Sequence, residues 1–332
     1  MSIVTEPLDP TSPVASTDPM GDSVAAKKVP SSKLPLWRLL LRDKLATVAA
    51  VILGIVLFTA IFGPWLVGDA ATEQNLDESN LPPFNLDTGA MNFLGTDPLG
   101  RSMFARLVVA CQTTLMVSVP AVVISCVIGS AIGMWAGYHR GWRETFAMRV
   151  ADVIMSFPSL LLAVVILYVF SPSAANIVAV LAITRIPIYL RTARAESAEL
   201  QSRVFVDAAR TFGASSGRIL RGHVLPILLP TLLTVATLDF CYVMLAESSL
   251  SFLGIGIQPP EVSWGLMVSQ GRTYLQTAWW LSFFPGLAIV VTTVSATILA
   301  AWARIATDPG QRWRLTTPKA RKRFFSSRKA VR

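Results

Sequence analysis

Asp239 falls near the middle of one apolar run, 227–249, and Arg185 lies within another, 174–191. A charge inside a membrane-length segment is costly, which narrows what it can do. Asp239 can line a solute path, facing for instance a peptide's amino terminus. Alternatively it pairs with Arg185, or burial keeps its carboxyl protonated. As a proton carrier it would suit a secondary transporter, but that class calls for inverted repeats and none is visible. Other reactive residues offer less. Cys111, Cys126 and Cys241 sit in or beside apolar runs, without metal-ligand spacing or a disulfide framework. His139 and His223 border predicted helix ends, so no metal site is expected. There is no G-x-x-x-x-G-K-[ST] phosphate loop, no Ser/His/Asp or Cys/His arrangement, and no cluster of polar groups at one membrane depth. The chain is not expected to be a catalyst by itself.

A different kind of chemistry resides in the polar stretch 203–226, RVFVDAARTFGASSGRILRGHVLP. On a helical wheel Arg203, Asp207 and Arg210 share a narrow stripe, while Val204, Phe205, Ala208, Ala209 and Phe212 spread over the other face. Gly213 and the following Ala-Ser-Ser-Gly read as a helix stop and turn. A short second helix over Ser216–His223 would lead to Pro226 at the head of the next apolar run. Such a helix–turn–helix knob can dock to something outside the membrane. It can also lie on the lipid surface with its arginines on anionic headgroups.

The elements around these residues are membrane segments. Apolar residues make up 53% of the chain and charged ones 15%, with mean hydropathy +0.55, which is not a soluble composition. Charge-free runs predict six transmembrane helices near 45–68, 115–138, 151–170, 174–191, 227–249 and 281–303. Ser171-Pro172-Ser173 separates the third from the fourth. Residues 1–35, rich in Pro, Ser, Thr and Asp, are expected to form a disordered cytoplasmic tail, and 311–332 a basic one. Between them lie an N-terminal segment with the first helix (36–68), an extracytoplasmic loop (69–106) and a core of five helices (107–310). Gly129, Gly133 and Gly137 recur every fourth position, which favours close helix contact, within the chain or with a partner. Pro158, Pro187, Pro226, Pro230 and Pro285 permit kinks.

The net charge of +9 is spread over membrane flanks. Of 29 Lys and Arg, 25 fall on one side of the predicted topology, while Arg101, Arg106 and Arg272 fall on the other. The positive-inside rule therefore places both termini and the 203–226 knob in the cytoplasm. The same dispersal, with no interleaved aromatics, argues against nucleic-acid binding.

Three motifs carry a resemblance. Asp207-Ala208-Ala209, Gly213, Ile219 and Leu225-Pro226 resemble the EAA loop of ABC-importer permeases, with Asp207 where the family usually has Glu. Phe93 to Arg101, FLGTDPLGR, resembles the LGTD-x-x-GRD signature of the dipeptide/oligopeptide branch, with Ser102 in place of the last Asp. Glu247 to Gly265 is similar to that branch's E-x-SLSFLG-x-G-x-QPP-x-x-SWG pattern, whose FLGIGIQPP run reads as a re-entrant or capping loop. The likeness covers about 38 to 310 and leaves out both tails.

It implies a type I ABC-importer permease fold, all-α and multi-pass in the bacterial plasma membrane, as the C-type subunit of a peptide importer. By the same resemblance Asp207, Ala208, Ala209, Gly213, Ile219 and Pro226 dock an ATPase. Gly95, Asp97, Gly100, Arg101, Glu247, Phe252, Gly254, Pro259 and Trp264 form an extracytoplasmic gate or binding-protein contact. Glu247 either anchors that loop or sits at the membrane interface. The implied partners are a second, B-type permease, one or two ATPase subunits carrying ATP and magnesium, a substrate-binding protein, a peptide and membrane lipid. Nickel or glutathione is the alternative cargo. Since the signature requires no acid at 239, the resemblance favours a structural Asp239, paired with Arg185 or kept protonated by burial, over one on the solute path.

Overall fold

The helical architecture starts where Asp43 accepts hydrogen bonds from the backbone N–H groups of Leu45 and Ala46, at 3.2 and 3.3 Å. That cap separates α1 (Leu36–Arg42) from α2 (Lys44–Val67) and satisfies two of the first-turn donors of α2. The computed structural model describes residues 36–84, 89–170 and 173–307. Both tails, 1–35 and 311–332, and the predicted break at Ser171-Pro172 lie outside the described residues. Among the described residues the only strand-like pairing is an isolated bridge between Thr96 and Ser102.

Short 3₁₀ turns carry the chain from α2 to α3 (Met103–Tyr138). Here α3 begins well before the expected 115, inside the stretch assigned to the 69–106 loop. Ser102 caps it by accepting from the Ala105 N–H at 3.3 Å, and Arg106, read as a loop charge, is buried in its first turn. Ser102 thus fills the capping role that an Asp there would equally serve.

The expected third span is broken. Residues 151–170 fall in two helices, α4 (Trp142–Ser156) and α5 (Ser159–Val169), bent by 85°. Phe157 at the corner is extended, φ −95° and ψ 139°, as a residue preceding proline prefers, and Pro158 cannot continue a hydrogen-bonded helix. Beyond the break, Ser173 accepts from Asn176 N–H at 3.2 Å and caps α6 (Ala174–Gln201). α6 outruns the expected end at 191 because its polar turns are held: Arg191 pairs with Asp152 and Arg194 with Glu144, both on α4.

After α7 (Val204–Thr211) the chain turns into α8 (Ser216–Ile219), a π-turn (Leu220–Val224) and α9 (Leu225–Phe252), then α10 (Trp264–Gly271) and α11 (Trp280–Thr307). Among the described residues five helical segments are long and apolar enough to cross a membrane, and six if the bent α4–α5 pair is one span.

α3 and α6 form the most extensive helix pair. The glycine ladder explains it: a Cβ on Gly129, Gly133 or Gly137 would lie 2.6, 2.3 or 2.4 Å from the backbone oxygen of Ile186, Leu190 or Arg194. The small-residue stripe is therefore spent within the chain, letting two backbones touch.

Candidate functional site

In the polar knob the structure seats a residue that the wheel did not single out. Val206 is fully buried, in one cluster with Tyr138, Tyr189, Ile219 and Val224. Ala209 follows at i+3, partly buried in the same cluster, and Arg210 at i+4 donates from Nε to the Tyr138 hydroxyl at 3.0 Å. This i, i+3, i+4 series is the anchoring face. The apolar face read from the sequence is largely turned outward instead: Val204 is 85% exposed, Phe212 91%, and Ala208 is exposed. Periodicity finds an apolar stripe but not what covers it. Asp207 is exposed beside Arg210, 3.4 Å away, and Pro226 is exposed, whereas Ile219 is buried as the knob's floor. Gly213 turns the chain with φ +78°, and open space surrounds the position of its missing Cβ.

The expected second helix of the knob is not a separate turn. Ser216 to Phe252 runs as one continuous helical rod. Its π-turn lies immediately before Pro226, which lacks an N–H to donate, and Leu225 N–H bonds to Leu220 O. The knob is thereby continuous with a membrane-length helix.

At the other end of the helices the two signature loops are closed on themselves. Asp97 Oδ1 accepts from the N–H groups of Leu99 and Arg101, both at 2.9 Å. Its Oδ2 accepts from Arg101 Nε at 2.7 Å and from Arg106. Gly95 and Gly100 have positive φ, and a Cβ on Gly100 would lie 1.7 Å from Asn75 O. Glu247 is buried and accepts from the hydroxyl of Ser251 at 2.8 Å; Ser251 Oγ in turn accepts from Ile257 N–H at 3.0 Å. Of the two expectations for Glu247, anchoring the loop is what the contacts describe. The FLGIGIQPP run caps α9, with Ile255 and Gly256 N–H both bonded to Leu250 O. Trp264 is buried, its indole donating to Leu107 O at 3.0 Å. Gly95, Asp97, Gly100, Glu247 and Trp264 are thus inside the chain and shape the loops, while Arg101 and Phe252 are half-buried and Gly254 and Pro259 exposed.

Asp239 is buried and ion-paired with Arg185, joining α9 to α6. The Tyr189 hydroxyl donates to its other oxygen at 3.0 Å. Arg185 lies 4.0 Å over the Tyr242 ring, and the Tyr242 hydroxyl is hydrogen-bonded to Ser159 at the head of α5. The interhelical pair weighed from the sequence is present; the two tyrosines and Ser159 around it carried no sequence signal.

Residues 129–309 match the model of the binding-protein-dependent transport system inner membrane component, and residues 36–83 that of the N-terminal TM domain of oligopeptide transport permease C. A putative peptide transport system permease protein of Brucella abortus is 36% identical over 272 residues, covering 82% of this chain and 90% of its own. A di/tripeptide transport system permease protein of Pseudomonas aeruginosa is 34% identical, covering 84% and 93%. A glutathione transport system permease protein of Escherichia coli is 35% identical, covering 82% and 89%.

Proposed function

The chain belongs to the family of binding-protein-dependent transport system inner membrane components, and on that premise we propose that it is the permease subunit of an ATP-driven importer of di- or oligopeptides. It is a multi-pass inner membrane protein, and in this reading α4 and α5 together complete six spans with both termini in the cytoplasm. A second permease subunit supplies the other half of the pathway. One or two ATPase subunits bind ATP and magnesium, and a binding protein delivers the peptide outside.

The observation that carries the reading is the knob: Val206 and Arg210 hold it to the bundle while Val204, Ala208, Phe212 and Gly213 face outward. An apolar, small-residue surface on an otherwise cationic segment suits a protein socket. ATP closes the ATPase subunits, the knob moves with them, and the rod from Ser216 to Phe252 tilts within the bundle. The relatives' names extend from di- and tripeptides to glutathione, itself a small peptide. The test is reconstitution of the copurified complex in proteoliposomes, with uptake of dipeptides, oligopeptides, glutathione and nickel measured. ATP-dependent, binding-protein-dependent peptide uptake is expected. Uptake driven by an ion gradient without ATP would overturn the reading.

A further inference from the structure

A cavity of about 330 Å³ lies between the 95–101 loop, the first turn of α3 and the end of α10. Asp97, Arg101 and Arg106 are the charged residues that line it, with Gln270 and Tyr274 beside them. Two guanidiniums therefore face one carboxylate, and that carboxylate is already saturated. Both of its oxygens are engaged by the backbone and by the two arginines. Arg106, whose side chain is only 8% exposed, gives its Nη2 to the neutral Gln270 Oε1 at 3.0 Å. Arg101 uses Nε and Nη2 on Asp97, and its Nη1 has no partner among the described residues. One positive charge is left over in a mostly buried place, where an ion needs a counter-ion.

We propose that this cavity is a socket for an acidic side chain of the extracytoplasmic binding protein, whose carboxylate completes the charge balance at Arg101 and Arg106. The proposal rests on the importer reading and gives its binding-protein contact a chemistry. The occupant follows from charge and size. The surplus is a single positive charge, matched by one carboxylate. The volume, at the low end of the range for small-molecule sites, admits an acidic side chain, and charge rather than size sets it apart from a zwitterionic dipeptide, whose ammonium would meet two guanidiniums. Arg101, at 23% side-chain exposure, forms the open edge through which a partner's side chain enters.

Two substitutions in the reconstituted full complex test it. Arg101→Gln removes the open guanidinium. Gln270→Glu places an isosteric carboxylate on Arg106 and cancels the surplus from inside. Each is expected to raise the binding-protein concentration for half-maximal ATP hydrolysis about fivefold, leave the maximal rate unchanged, and flatten the salt dependence of that concentration. Arg101→Lys, which keeps the charge, should stay close to the unaltered complex, and if Arg101→Gln fails to assemble, Gln270→Glu alone decides the test. Unchanged half-saturation in both charge variants, or a shift in only one, would overturn the socket. So would a fall in maximal rate at unchanged half-saturation, which would assign the cavity to the cargo's own carboxylate. If the unaltered complex shows no stimulation by any binding protein, the importer reading itself falls and takes the socket with it.

Discussion

Arg210 on α7 reaches Tyr138, the last residue of α3: its Nε lies 3.0 Å from the phenol oxygen and its guanidinium carbon 5.0 Å from the ring centroid. The knob is therefore tied to α3 by Arg210 together with the packing of Val206, and to α9 by continuous backbone. α3 in turn is locked to α6 through the glycine ladder, so a push on the knob is delivered to a packed unit.

Tyr138→Phe keeps the ring and removes the hydroxyl acceptor. A hydrogen bond to a charged group contributes about 2 kcal/mol. The expected result is an assembled complex that hydrolyses ATP but moves fewer peptides per ATP, read by measuring uptake and phosphate release in the same vesicles. Unchanged stoichiometry would show that Arg210 is not part of the transmission.

Phe212→Asp is the cleaner test of docking. Phe212 is 91% exposed, so its replacement costs the subunit about 0.5 kcal/mol or less in folding. The variant should reach the membrane at normal abundance yet lose the copurifying ATPase and all uptake. Gly213→Asp should abolish uptake as well, but φ +78° adds backbone strain of about 1 kcal/mol or more, so its membrane abundance has to be measured alongside.

Gly133→Ala introduces a methyl 2.3 Å from Leu190 O and should splay α3 from α6, lowering stability in detergent by about 2 kcal/mol. Gly54→Ala, with nothing within 4 Å of the added carbon, should be neutral in the same thermal assay.

Asp239→Asn leaves Arg185 without its counter-ion, and Arg185→Gln leaves Asp239 without its own. Each single change should destabilise the subunit, and the double variant should recover part of the loss, with a coupling of about 2 kcal/mol. Thermal stability of all four forms measures this. Additive losses would separate the two residues energetically. Peptide uptake by Asp239→Asn at normal abundance is expected to persist, and its loss would move Asp239 onto the solute path.

Charge-free runs located five of the membrane-length helices from sequence alone, because length and apolarity are local properties that a bilayer reads directly. The same holds for the Gly213 turn and for the three motifs by which the family was recognised. Long-range packing decided the rest. Whether Gly129, Gly133 and Gly137 would meet a partner or the chain's own α6 depended on residues 57 positions further along the chain, Ile186, Leu190 and Arg194. Val206 became the anchor because Tyr138 and Ile219 converge on it, and α3 began at 103 because Arg106 found Asp97 and Gln270. The kink permitted by Pro158 became an 85° corner only in the fold. Sequence sets which groups must be kept from lipid or water; only the packed helices determine which neighbour relieves each of them.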